Sequence, residues 1–175
     1  MANTYFPIAT TTVGSGGAAT IEFTSIPQTY TDLLLKLSFR SSAAGAHGGS
    51  AQMIFNNSTA QNYSFTFLRG SGFTSPGTGT SAGVAYIRVT NNHPTAGNTA
   101  STFGNSDVYI YNYTSSSAKS TSEDSVEENN TSECYAQITA GVWTLTNAIT
   151  SIKLTSEATS FVQYSTATLY GIKKN

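Results

Sequence analysis

The chain has 175 residues, a formal net charge of −1 and only 10% charged residues, while about three residues in ten are Ser or Thr. This length fits one domain with an adequate core. No basic stripe marks a nucleic-acid partner, and no apolar stretch approaches the roughly 20 residues of a membrane span. Residues 1–5 lack the features of a signal peptide, so we expect synthesis in a cytoplasm without classical export.

Apolar and polar residues alternate with period two along most of the chain, a pattern that predicts β-strands. The predicted strands cover residues 19–24, 33–39, 52–56, 63–67, 84–89, 107–113, 135–139, 149–154 and 161–172. Clusters rich in Gly, Pro and Asn predict turns at 14–17, 45–49, 70–72, 76–79 and 91–94. The spacing favours an all-β fold, an antiparallel β-sandwich of jelly-roll type with about 8–10 strands and little or no helix.

The predicted organisation is a short N-terminal element followed by one domain. Residues 1–17 form an N-terminal arm or first strand with a Gly-rich hinge, and residues 18–175 form a single β-sandwich domain. An acidic, Ser/Thr-rich loop is predicted at 114–133, around the charge run 123–128. The loop has neither the ligand spacing nor the turn-forming Gly of a calcium-binding loop.

Residues that could carry catalysis are few. The two histidines, His47 and His93, both lie in predicted turns, and no G-x-S-x-G elbow accompanies them. Cys134 cannot form an intrachain disulfide and has no metal-ligand spacing to either histidine, so we interpret it as a small apolar strand residue. We therefore expect no enzyme activity, no metal and no cofactor.

Three tyrosines form the most notable candidate surface. Tyr109, Tyr111 and Tyr113 stand at i, i+2 and i+4 of one predicted strand and therefore share a face. Such a row packs in a core or at a subunit interface, or it forms a platform for a sugar ring. Trp143, beside Val142, is predicted to lie in the core.

Several segments together resemble a family of small structural proteins from the virions of tailed bacteriophages. The matching segments are 21–33, 149–154, 161–165 and 167–173, with counterparts of a further family stretch at 55–58 and 62–64. The family's Gly-Asp turn is replaced here by Asn57-Ser58. The resemblance covers nearly the whole chain and implies a capsid decoration (cement) protein or a tail or fibre component.

The first of these segments predicts a structural corner. Pro27 lacks an N–H and ends the preceding strand, and Tyr30 leads into the turn. Asp32 is expected to accept a hydrogen bond from a nearby backbone N–H, as in Asx turns. The last strand is predicted to pair with the strand at 33–39, since first and last strands often pair in jelly rolls.

The leading functional expectation is a non-enzymatic phage virion protein on the capsid surface, made in the host bacterial cytoplasm. It would bind the major capsid protein, bridge capsomers as a homotrimer and so stabilise the shell. Tyr5, Phe6 and Ile8 belong to an arm that either adds a strand to a neighbour or forms an ordinary first strand. The alternatives are a tail or fibre adhesion module that binds host-surface glycans, and a cellular lectin-like or enzymatic β-sandwich. Neither nucleic acid nor membrane is an expected partner.

Overall fold

The computed structural model describes residues 4–45, 50–72, 76–130, 134–157 and 159–173, and twelve strands lie within these ranges. They are β1 (Tyr5–Thr12), β2 (Thr20–Phe23), β3 (Asp32–Phe39), β4 (Ala51–Phe55), β5 (Tyr63–Ser71), β6 (Gly77–Val84), β7 (Ile87–Thr90), β8 (Gly104–Ile110), β9 (Lys119–Glu128), β10 (Cys134–Trp143), β11 (Ile152–Ser156) and β12 (Thr166–Ile172). All pairings between neighbouring strands are antiparallel. The predicted all-β sandwich is confirmed, with more strands than predicted.

The strands form an eight-stranded sheet in the order β1-β12-β3-β8-β9-β10-β5-β6 and a four-stranded sheet in the order β2-β11-β4-β7. If the hairpins β5–β6 and β9–β10 are set aside, the sheets β1-β12-β3-β8 and β2-β11-β4-β7 remain. This order, with the last strand beside the first, is the jelly-roll arrangement. The two hairpins continue the larger sheet beyond β8, and we call β9, β10, β5 and β6 the extension.

The core lies between the two sheets, and strand alternation places its side chains there. In β3, Leu33, Leu35, Leu37 and Phe39 are buried. The predicted pairing of β12 with this strand is confirmed, with Leu169 opposite Leu35. Trp143 is buried as predicted, stacks on Tyr63 with ring centroids 6.0 Å apart, and donates its indole N–H to Asn62 at 3.1 Å.

The acidic segment differs most from its prediction. Instead of a loop at 114–133, the structure has β9, which pairs with β8 on one side and β10 on the other. Residues 131–133 lie outside the described residues. The strand lacks apolar alternation because its inward side chains are polar, among them Thr121, Glu123 and Ser125. The sequence pattern therefore looks like a solvated loop although the backbone is fully paired.

Two other predicted boundaries move. The segment predicted as one strand at 84–89 is divided, since Val84 pairs with Tyr63 in the large sheet and Ile87 pairs with Met53 in the small one. The predicted turn at 76–79 falls largely within β6. Gly79 has a packing role there, because a Cβ at this position would lie 2.6 Å from the Phe67 ring.

The predicted corner is built by contacts across the sheet. The Asp32 carboxylate accepts hydrogen bonds from the Asn112 backbone N–H and the Tyr109 hydroxyl, both at 2.8 Å. These contacts join the start of β3 to the end of β8. The Pro27 carbonyl accepts a hydrogen bond from the Tyr113 hydroxyl, and the Tyr30 ring lies on the backbone of Gly171.

We predict that Gly171→Ala destabilises the protein by roughly 1–3 kcal/mol, as overpacking typically does. The added Cβ would lie 2.3 Å from the Tyr30 ring, which must move away from β12. Gly14→Ala is the matched control, since nothing lies within 4 Å of its Cβ position. Denaturant unfolding of both variants measures the difference.

The double variant Gly171→Ala/Tyr30→Ala tests whether the clash with the Tyr30 ring causes the loss of stability. Removing the ring removes the clash, so the effects of Gly171→Ala and Tyr30→Ala should be strongly non-additive. Additive losses in the double variant would contradict this account of the corner.

Candidate interaction surface

The outer face of the eight-stranded sheet is the candidate functional surface. The four-stranded sheet covers only the opposite face, so alternate side chains of the large sheet point away from the core. Shallow clefts lie along this outer face, from Tyr5 on β1 to Ala82 on β6. Two parts of the face, the extension and the jelly-roll half, differ in chemistry.

The extension exposes an apolar patch. Leu68 on β5 and Ile138 on β10 are opposite each other in the register, and each is 63% exposed. Val126 on β9 and Val142 on β10 are also exposed, and Ala136 and Ala140 lie between them on β10. We call Leu68, Val126, Ala136, Ile138, Ala140 and Val142 the apolar patch. Apolar side chains in such a group are the usual sign of a contact surface.

The opposite face of the extension is unusually polar. Gln137 and Thr139, which alternate with Ile138 on β10, are buried and hydrogen-bonded to each other at 2.9 Å. The Ser125 hydroxyl donates to Thr90 on β7 at 3.2 Å, and the Gln137 side-chain oxygen accepts from the Asn91 backbone N–H at 3.3 Å. On β9 and in the middle of β10, polar residues therefore face inward while Val126 and Ile138 face outward, whereas Tyr63, Phe65 and Trp143 place aromatic rings on the inner face of the extension.

Glu123 is a buried acid of this inner face. It is 2% exposed and accepts a hydrogen bond from the Thr121 hydroxyl at 2.5 Å, while its Oε2 has no hydrogen-bond partner in the described part of the chain. Burial raises the pKa of the Glu123 carboxyl to about 8, and the Thr121 hydrogen bond offsets part of this effect. The side chain is therefore mostly protonated at neutral pH.

The jelly-roll half of the same face carries a second feature, which we call the tyrosine cleft. It is lined by Tyr5, Leu34, Lys36, Asp107 and Tyr170 and has a volume of about 320 Å³. Lys36 donates to Asp107 at 2.5 Å, and both side chains are half exposed. Its lining residues come from β1, β12, β3 and β8, so the cleft crosses four adjacent strands. Leu34 pairs with Tyr170 on one side and with Tyr109 on the other.

The predicted row of three tyrosines is not present as a flat platform. β8 ends at Ile110, and a positive φ of 44° at Asn112 turns the chain. Tyr109 and Tyr111 remain on the outer side with ring centroids 4.5 Å apart, whereas Tyr113 is completely buried. Burial and the contact with Asp32 raise the pKa of Tyr109, which keeps its hydroxyl protonated as a donor.

The N-terminal residues are already paired within their own chain. β1 is an edge strand that pairs with β12, with a bulge between Pro7 and Ala9. Tyr5 points outward into the tyrosine cleft, while the Phe6 ring packs 5.7 Å from Tyr30 and Ile8 packs against the core. Within its own chain, the predicted N-terminal segment is therefore an edge strand of the large sheet.

The candidate chemical groups do not converge. His93 is fully buried rather than on the surface, with its ring 4.7 Å from that of Phe39, and His47 lies outside the described residues. Cys134 is exposed at the start of β10. Within the described ranges, no three His, Cys, Asp or Glu side chains are grouped to hold a metal ion. Those ranges also contain no helix of the length and hydrophobicity that a bilayer span requires.

The apolar patch was missed by sequence reasoning, although a signal was present. Trp143 has the same strand parity as Gln137 and Thr139, so placing Trp143 in the core also places those polar residues inside. Ile138 and Val142 then have to point outward.

Comparisons of the chain with protein-family models, curated proteins and solved structures gave no match.

We predict that His93 makes the fold acid-sensitive. Burial lowers the pKa of His93 to about 3, against about 6.5 in the unfolded chain. Between these values the unfolded state binds a proton that the folded state does not, so stability falls as pH decreases below about 6.5, by up to about 1.4 kcal/mol per pH unit. Urea unfolding of the wild type and His93→Leu between pH 7 and 4 should show a shallower slope for the variant. Equal slopes would contradict the assignment.

Glu123 is predicted to make the fold less stable as the pH rises. Its raised pKa means that the folded state holds a proton that the unfolded state releases above about pH 4.5, so stability falls as pH rises towards about 8. Glu123→Gln keeps the shape and removes the titration, and its unfolding free energy should lose this decline. Asp124→Asn, which removes the adjacent acid on the outer face, is the control that should retain it.

Proposed function

We propose that this chain is a non-enzymatic structural protein of a tailed-bacteriophage particle that decorates the capsid shell and binds the major capsid protein. The observation that carries the proposal is the apolar patch, in which Leu68 and Ile138 face outward. The resemblance of residues 21–33, 149–154, 161–165 and 167–173 to phage virion proteins supports the same proposal. A jelly roll with a broad sheet face suits work done by contact.

The energetics favour a covered patch. Leu68 and Ile138 are each mostly exposed, and burying such side chains contributes about 1.5–3 kcal/mol apiece. On β10, the polar residues Gln137 and Thr139 occupy the inner positions on either side of Ile138, so the exposure of Ile138 has no benefit for folding of the isolated chain. A partner surface that covers the patch recovers this free energy as binding affinity.

Binding of this kind stabilises a shell by linkage. Each copy binds the assembled shell and not its separated subunits, so the binding free energy adds to that of the assembly. We further propose that the protein acts as a trimer, since a closed ring at a local threefold axis allows each copy to bridge neighbouring capsomers. Sedimentation of the purified protein measures this oligomeric state.

A second candidate function is a tail or fibre module that binds host-surface glycans. The tyrosine cleft favours it, because exposed tyrosines beside a charged pair suit sugar recognition. Location in the particle separates the two candidates. A shell protein is present in numbers comparable to the capsomers, whereas a tail protein is present in few copies.

The decisive experiment combines cryo-EM of the particle with binding of purified protein to shells that lack it. We predict density on the shell, and at least a tenfold loss of affinity for the double variant Leu68→Thr/Ile138→Thr. Threonine keeps the strand propensity while removing apolar surface. Leu145→Thr, at an exposed leucine outside the patch, is the control and should bind as the wild type does.

Two results would overturn the proposal. One is density confined to the tail in a few copies. The other is unchanged shell binding by the double variant with its fold intact by circular dichroism, which would mean that the apolar patch is not the contact surface.

A further inference from the structure

We propose that the tyrosine cleft is a binding site for neutral pyranose sugars. The two tyrosines reach it from adjacent strands: Tyr5 on β1 pairs with Ile172, two residues beyond Tyr170 on β12. Tyr5 is 56% exposed and Tyr170 is partly exposed, so both present ring surface to solvent. Leu34 on β3 is opposite Tyr170 of β12 and gives the cleft an apolar wall.

The polar side of the cleft supplies both kinds of hydrogen-bonding group. The Lys36 ammonium is a donor and the Asp107 carboxylate is an acceptor, and their 2.5 Å contact holds them side by side. Each retains half of its side-chain exposure, so neither is used up by the ion pair. Vicinal hydroxyls of a sugar both donate and accept, while the C–H face of the ring packs on an aromatic side chain. The cleft offers the two groups together.

Charge selects neutral sugars over acidic ones. The positive charge of Lys36 is already balanced by Asp107, and Asp124 stands opposite Asp107 on the next strand. An anionic sugar would approach two carboxylates and only one ammonium, whereas a neutral pyranose meets only hydrogen-bonding groups. Sialic and uronic acids are therefore expected to bind more weakly than neutral glycosides.

The dimensions suit one or two sugar rings. The cleft volume of about 320 Å³ is at the lower end for ligand sites. A neighbouring cleft shares Leu34 and Asp107 and adds Tyr109 and Ser122, which leaves room for a second ring. Because both clefts are open, we expect affinities in the millimolar range for a single ring.

The site differs in its residues from the proposed shell contact. The two tyrosines lie on β1 and β12, at the other end of the sheet from β5, and no residue lines both the tyrosine cleft and the apolar patch. Asp107 of the cleft is on β8, beside the strand β9 that carries Val126 of the patch. Sugar binding goes beyond the decoration function, and it is measured on the purified protein without reference to the particle.

Saturation-transfer NMR tests the proposal with methyl glycosides of glucose, galactose, mannose and N-acetylglucosamine. At least one should show transfer at millimolar concentration, strongest at the protons of one ring face. Tyr5→Ala and Asp107→Asn should each weaken binding about tenfold. Tyr164→Asn removes a tyrosine of similar exposure outside the cleft and should leave binding unchanged.

The opposite results are equally clear. No transfer from any of the four glycosides would overturn the proposal, as would binding that persists in both cleft variants. Preferential binding of the methyl glycosides of glucuronic or N-acetylneuraminic acid would refute the selection of neutral sugars. Thermal unfolding of each variant shows that a loss of binding does not come from a loss of fold, since Tyr5 lies exposed on an edge strand.

Discussion

The burial of Trp143 sets the orientation of every side chain on the extension. Its ring stacks on Tyr63 and lies 5.6 Å from Phe55, and its N–H is bound by Asn62, so this end of β10 has one stable position. Successive strand residues point to opposite faces. With Trp143 inside, Gln137 and Thr139 must face β7, and Ile138 must face solvent. A shift of one residue would exchange the two faces but would expel the tryptophan.

This constraint explains why one part of the interior is polar and the rest is apolar. Between the four-stranded sheet and strands β3, β8 and β12, side chains such as Leu35, Val108 and Leu169 exclude water. Beneath β9 and the middle of β10, hydroxyl and amide groups form hydrogen bonds instead, with Thr90 of β7 among their partners. Buried polar groups cost little only when they are paired. The polar part therefore depends on the register that Trp143 fixes.

Sequence periodicity predicts the jelly-roll strands because their inner residues are apolar and their outer residues polar, as at 33–39. The same signal fails for β9, whose inward residues include Glu123, because a buried polar strand has the composition of a loop. It also fails for Tyr113, since the positive φ of Asn112 that ends the row depends on a contact with Asp32 on another strand. The outer clefts depend on which strands become neighbours, and the pairing of Leu34 with Tyr109 and Tyr170 is not encoded locally.

The jelly-roll strands and the extension therefore differ in role: the former stabilise the fold, and the latter carries the proposed contact surface. The eight jelly-roll strands close a sandwich without the two hairpins, which are inserted between β4 and β7 and between β8 and β11. An inserted hairpin that extends a sheet adds surface on both faces, and the inner face has β7 to cover it. No other part of the described chain covers the outer face. Apolar side chains on that face can leave water only when another molecule binds there. For this reason the extension, and not the more strongly apolar core, is the part of the fold from which we infer a function.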